Sequence, residues 1–274
     1  VKEVLQMNEE KNYKEKLMKM YVKGELPLLK RNEKFNFACV QCGECCRNRD
    51  DILLNPFDVF RLRREKKMSL QDFIEKYCEF YTGNSSKLPL MRIQFRQVYD
   101  LDGNEIGTRC PFLGQTKGLY HCRVHQAKPF VCFSYPLGRI QEIGKETDYL
   151  LQNDGTCKGA VKAKDENIMQ VVEDWMGGKE KLDREERFNA LFSCFLENYR
   201  KWINVDKLAE NKKAFPIYKK WLALVAELLY ANYDFDSDDD GFLEQFKNNI
   251  DAIETISKTI VEEFASLVDL RPKS

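Results

Sequence analysis

Histidine is almost missing from this chain: His121 and His125 are the only two in 274 residues. A hydrolase that pairs a nucleophile with a histidine base is therefore hard to build from it. Net charge is missing too, because forty-four basic residues balance forty-four acidic ones. That removes any global electrostatic argument for binding nucleic acid or an anionic membrane surface. Long apolar runs are lacking; the most apolar stretch, Trp221 to Tyr230, is short and interrupted by Glu227, so no segment reaches membrane-spanning length. Residues 1–11 alternate charge without an apolar core, unlike a secretory signal. A cytoplasmic protein without membrane insertion is the expectation. Neither G-x-x-x-x-G-K-[ST] nor G-x-G-x-x-G occurs, which sets aside two common phosphate-binding loops.

Cysteine, by contrast, is plentiful. Of ten in all, four fall in the eight residues Cys39-x2-Cys42-x2-Cys45-Cys46, far denser than packing would require. In a reducing compartment ten cysteines are better explained by metal ligation than by disulfides. The repeated i, i+3 spacing lets a tight loop aim Cys39, Cys42 and Cys45 at one point, with Gly43 allowing the sharp turn. The vicinal Cys45 and Cys46 are expected to diverge and so not to serve one ion equally. Phe35 and Phe37 lead into the loop and either shield a metal or serve as plain core. Cys110, Cys122, Cys132 and Cys157 follow singly. His121 and His125 flank Cys122, where Cys-x-x-His ligation competes with a simpler supporting role.

The pattern of elements predicts an α+β protein: a small cysteine-rich metal-binding domain with short hairpins and helices, followed by an all-α C-terminal helical bundle. The expected divisions are a lead-in helix over 1–34, the cysteine-cluster domain over 35–164 and a helical domain over 165–274. Asn55-Pro56 and Ser69 read as helix starts, the second carrying a stripe from Leu70 to Tyr81. The bases Arg61, Arg63 and Arg64 read as a solvated face. Cys78 reads as a buried apolar thiol, and Cys194 lies outside the ligand set. Met91–Tyr99 reads as one strand, turning at Asp102-Gly103-Asn104 into a return strand over 106–109; Ile140–Leu151 reads as a second hairpin. Asp236-Ser237-Asp238-Asp239-Asp240-Gly241 imitates the start of a calcium loop, but Lys247 stands where the bidentate carboxylate belongs. A solvated acidic link between helices is the preferred reading.

Cys39-x2-Cys42-x2-Cys45-Cys46, Leu54-x3-Asp58, Cys110-Pro111-Phe112-Leu113, Cys122-x2-His125, Pro129-x2-Cys132-x2-Tyr135-Pro136 and Cys157-x-Gly159 together resemble the YkgJ-type cysteine-cluster family. Its CxxCxxCC domain is described as zinc- or iron-chelating. Lys128 and Phe133 depart from that pattern, which has arginine at both places. The resemblance implies metal binding through Cys39, Cys42, Cys45, Cys46, Cys110, Cys122, Cys132 and Cys157. Arg47, Arg109, Arg123 and Lys158 adjoin these cysteines and can offset thiolate charge. The C-x2-C-x2-C run tips the expected cofactor toward an iron–sulfur cluster with a redox or catalytic role, as in an iron–sulfur oxidoreductase. The alternative is zinc stabilising a binding or adaptor protein. A second alternative is a lysine N-methylase-like enzyme, because flagellin lysine N-methylases are similar in carrying a related cysteine cluster, though their spacing differs. The substrate or partner, protein or small molecule, is not legible.

Overall fold

The computed structural model describes residues 19, 20, 23, 25, 27–141, 145–152 and 157–272. Most of the expected lead-in helix lies outside these residues. Two short strands, β1 (Leu28–Leu29) and β2 (Lys34–Asn36), precede the cysteine loop. After it, β3 (Leu53–Leu54) runs into α1 (Pro56–Lys66). Asn55 caps α1 by accepting from the Asp58 amide while the Asp58 carboxylate accepts from the Asn55 amide, and Pro56 opens the first turn, a reciprocal box that satisfies donors no helical carbonyl reaches. Ser69 likewise caps α2 (Leu70–Tyr77).

The helix stops at Tyr77, short of the expected stripe. Cys78–Thr82 instead forms β4, which pairs antiparallel with β5 (Pro89–Ile93), and β3 pairs with the other edge of β5. Strand pairing from a distance overrides the local helical period there. The single strand expected over Met91–Tyr99 is likewise broken: β5 ends at Ile93, and β6 (Arg96–Tyr99) pairs with β7 (Glu105–Arg109) as a separate hairpin. The break falls at Gln94, whose amide turns to the Tyr77 carbonyl.

A tight hairpin follows, β8 (Leu113–Thr116) with β9 (Leu119–Cys122). Its two turn residues, Lys117 and Gly118, both have positive φ, 49° and 82°, the geometry that matches strand twist across a two-residue loop. The chain then makes α3 (Phe130–Ser134), the paired strands β10 (Leu137–Ile140) and β11 (Asp148–Leu151), α4 (Lys158–Asp165), β12 (Met169–Val171) and α5 (Val172–Trp175). The C-terminal region is helical: α6 (Lys179–Trp202), α7 (Val205–Glu210), α8 (Phe215–Tyr230) and α9 (Asp239–Glu263). No helix among the described residues is long and apolar enough to cross a membrane.

The chain divides into two compact units. The first comprises residues 1–39 and 134–178. Its sheets are β1-β11-β10 and β12-β2, and its aromatic centre sets Phe35, Phe37 and Tyr135 around Trp175, whose indole N–H donates to the Tyr135 carbonyl at 3.1 Å. Phe35 and Phe37 are thus core residues of that unit. The second unit comprises residues 40–133 and 179–274. Its core stacks Phe57, Phe60, Phe188, Phe242 and Phe246 from α1, α6 and α9, and fully buries Trp221 from α8. Residues more than 180 positions apart in sequence therefore share one core, against which Cys110, Cys122 and Cys132 pack.

Candidate metal centre

Within the second unit the cysteine loop is tied down at three points. Residues Glu44–Cys46 form a single 3₁₀ turn preceded by Gly43 at φ 74°. A side chain at 43 would suffer that left-handed backbone and also meet the Tyr120 ring, 2.8 Å from where its Cβ would stand, so only glycine fits. The Tyr120 amide donates to the Gln41 carbonyl at 3.0 Å, and the Arg47 guanidinium lies 4.6 Å over the Tyr120 ring. Beyond the turn, the chain pairs with the end of β7. The Cys110 amide donates to the Cys46 carbonyl at 2.8 Å, the Asn48 amide donates to the Thr108 carbonyl at 2.9 Å, and the Asn48 side chain accepts from the Thr108 amide at 2.8 Å.

Three elements then deliver thiols singly. The end of β7 presents Cys110, the end of β9 presents Cys122, and α3 presents Cys132. Asp58 orients α3: one carboxylate oxygen takes part in the α1 cap, and the other accepts from the Phe130 amide at 2.8 Å. Burial first, and then the charge of Glu185, push the Asp58 carboxyl up to about 7, against the pull of its two amide donors and Arg61.

Cys45, Cys46, Cys110, Cys122 and Cys132 influence one another through their charges. Cys45 and Cys46 do not diverge; their sulfurs stand 3.9 Å apart. The reason is the 3₁₀ turn, which rotates neighbours by a third of a turn rather than to opposite faces of an extended chain. The hydrogen bond between these two thiols pushes Cys45 down and Cys46 up. Cys46 is raised further by burial and by the charges of Cys45, Cys110 and Cys132. Burial pushes Cys110 up to about 11 and raises Cys122 and Cys132, and each also feels the charge of Cys45. Pulling the other way, the amides of Phe112 and Leu113 donate to the Cys110 sulfur and the Val124 amide to that of Cys122.

Thiolates are the donors that a thiophilic cation takes. Amide groups aimed at the sulfurs favour the thiolate, and mutual repulsion among buried thiolates is relieved by a positive ion between them. Among the described residues, no group of three or more His, Cys, Asp or Glu side chains stands close enough together to hold a metal ion as placed.

Cys42 lies on the loop of the second unit, half-buried. Cys39 and Cys157 belong to the first unit, where they are neighbours through the backbone: the Ala38 amide donates to the Gly159 carbonyl at 3.1 Å. A Cβ on Gly159 would come 2.7 Å from the Ala38 oxygen and 3.3 Å from the Cys39 Cα. This close approach explains the glycine two residues after Cys157. Cys78 is buried in the core, its thiol pushed up to about 12 by burial, and Cys194 is exposed on α6.

The charges that face the thiols are not those adjacent in sequence. Lys128 lowers Cys45 and Cys122, and Arg49 lowers Cys45, whereas Arg47 is engaged with Tyr120. At Phe133 the ring is covered by the Lys181 ammonium, 4.1 Å from its centroid. The solvated face expected on α1 is also corrected: Arg61 and Arg63 are buried. Arg61 pairs with Glu185 and, at 3.0 Å, with Asp239; Arg63 donates to the Tyr230 carbonyl at 3.0 Å. The acidic stretch before α9 is used the same way, Asp238 capping the helix and Asp239 receiving Arg61 and Arg64. His121 packs against Gly114, and His125 is lowered by the charge of Lys128, by burial and by Lys181.

Residues 38–158 match the model of the CxxCxxCC family, described as a putative zinc- or iron-chelating domain. No curated protein and no solved structure matches the chain.

Proposed function

We propose, from the match of residues 38–158 to the CxxCxxCC family model, that the second unit holds a single tetrathiolate zinc ion through Cys45, Cys46 and two of Cys110, Cys122 and Cys132. The carrying observation is the 3.9 Å between the Cys45 and Cys46 sulfurs. Two thiolates bound to one tetrahedral ion at about 2.3 Å stand roughly 3.8 Å apart. The cysteines of a [4Fe–4S] cluster each bind a different iron and stand farther apart, whereas two cysteines on one iron of a [2Fe–2S] cluster share the zinc-like spacing, so the distance argues against the four-iron form alone. A closed zinc site contributes folding energy. Here it joins the cysteine loop, two hairpins and α3, so its role is to staple a binding or adaptor surface.

A second reading, an iron–sulfur cluster with a redox role, is favoured by the C-x2-C-x2-C run Cys39, Cys42, Cys45. Metal and acid-labile sulfide analysis of anaerobically purified protein separates the two. One zinc per chain without sulfide is expected; iron with equimolar sulfide and visible absorbance overturns the zinc reading. Replacing Cys46 with Ser should release the metal, whereas Cys194→Ser should retain it.

A further inference from the structure

Beside the thiol group, α1, the 3₁₀ turn His125–Ala127, the first turns of α6 and the start of α9 enclose a cleft of about 280 Å³. Its charged lining is Arg61, Arg64, Lys181 and Arg184 against Glu65 and Asp239. Arg61 and Arg64 are already engaged, the first by Glu185 and Asp239 and the second by Asp239 at 2.7 Å and the Ser237 carbonyl at 2.9 Å. Lys181 and Arg184 differ. Among the described residues Lys181 has no ion pair, only the Phe133 ring beneath it, and the buried Arg184 Nε has no hydrogen-bond partner. The two lie three residues apart on α6 and so project from one face.

The geometry points to this cleft as a binding site for a small phosphate-type oxyanion, received by Lys181 and Arg184. A buried guanidinium N–H without an acceptor is destabilising, and an oxyanion supplies that acceptor. Four cations stand against Glu65 and Asp239 of the lining and the Glu185 that pairs with Arg61, so the balance stays positive and suits an anion. Arginine offers a planar fork and lysine a mobile point charge, and together they can hold different oxygens of one tetrahedral group. The volume admits a phosphate group but falls below the roughly 300–1,000 Å³ of sites for larger ligands. Burial and the charge of Arg61 already push Lys181 down, and a bound anion reverses that pressure. Because α3 carries Cys132 into the thiol group and Phe133 beneath Lys181, an anion held here lies beside the proposed metal centre. The proposal does not depend on which metal, if any, that centre takes.

Calorimetric titration of the full chain with inorganic phosphate, at constant ionic strength, tests the site. Saturable binding of one phosphate per chain is expected, with acetate binding more weakly and chloride failing to compete. Lys181→Gln and Arg184→Gln together should weaken phosphate by about tenfold or more. Arg187→Gln, which removes a cation paired with Asp240 outside the lining, should change it less than about twofold. Lys181→Gln alone removes a half-buried side chain and keeps the comparison available should the double variant fail to fold; it should weaken phosphate severalfold. Absence of saturable binding, full displacement by chloride, or unchanged affinity in the folded Lys181 and Arg184 variants overturns the proposal.

Discussion

The amide of Cys110 donates to the carbonyl of Cys46 at 2.8 Å, so the backbone itself joins the clustered cysteines to the first of the dispersed ones. Asn48 extends the connection, bonding to Thr108 through both its amide and its side chain, and it does so with a left-handed backbone at φ 51°. Asn48→Ala removes the side-chain acceptor and strains the backbone. We expect a loss of about 1–3 kcal/mol in urea unfolding, with weaker metal retention against a chelator although no thiol has been touched. Unaltered metal retention would mean that this pairing does not position the thiols.

Two glycines with nearly the same φ make a matched test of the loop. Gly43 and Gly103 stand at 74° and 82°, but Gly43 faces the Tyr120 ring whereas nothing lies within 4 Å of the Gly103 position. Alanine at 103 incurs only the backbone penalty, about 1 kcal/mol. Alanine at 43 adds a clash against a ring that is itself held by Gln41 and Arg47, for about 2–4 kcal/mol in total. Metal content should fall in Gly43→Ala and hold in Gly103→Ala.

What could be read from the sequence follows the range of the interactions involved. The caps at Asn55 and Ser69 and the turn at Asp102-Gly103-Asn104 are decided within four residues, and each is found. The crowding of Cys39, Cys42, Cys45 and Cys46 and the later single cysteines is legible as a pattern, since density of thiols signals a shared purpose even when spacing is irregular. The arginines of α1 were not, because their partners Glu185 and Asp239 lie more than a hundred residues away and no local periodicity marks them. Nor was the direction of Cys46, which depends on a 3₁₀ turn that only Gly43 and the Tyr120 contact impose. The Lys117-Gly118 turn that delivers Cys122 had a visible signal, a glycine between two short alternating segments, that went unread.

Thiol reactivity should report the two kinds of cysteine outside the centre. Cys194 is exposed, while Cys78 is buried and its thiol stays protonated in the fold up to about 12. Iodoacetamide at pH 8 should therefore modify Cys194 quickly and Cys78 only on unfolding. Because the folded protein holds the Cys78 proton more tightly than the unfolded chain, that residue's contribution to stability is complete below about pH 9. It is lost as the pH rises toward 12, and Cys78→Ala should flatten this part of the stability profile. Mass spectrometry of alkylated protein, before and after chelation, should show the thiols of the centre becoming reactive only once the metal is removed.

The buried pair of Arg61 and Glu185 carries the largest expected effect. Glu185 is 1% exposed and Arg61 6%, and Arg61 also bridges to Asp239 at the start of α9, so one guanidinium links α1, α6 and α9. Arg61→Met preserves much of the side-chain volume but leaves the Glu185 carboxylate buried without its cation, beside the equally buried Asp58. Breaking such a pair from one side costs about 3–5 kcal/mol, enough to consume much of the stability of a typical domain. Arg61→Met with Glu185→Leu removes both charges and should recover most of that loss, leaving Asp239 with Arg64. Urea midpoints of the single and double variants decide the matter: a double variant no more stable than Arg61→Met would show that the guanidinium acts through its packing on Phe57, 3.5 Å beneath it, rather than through its charge.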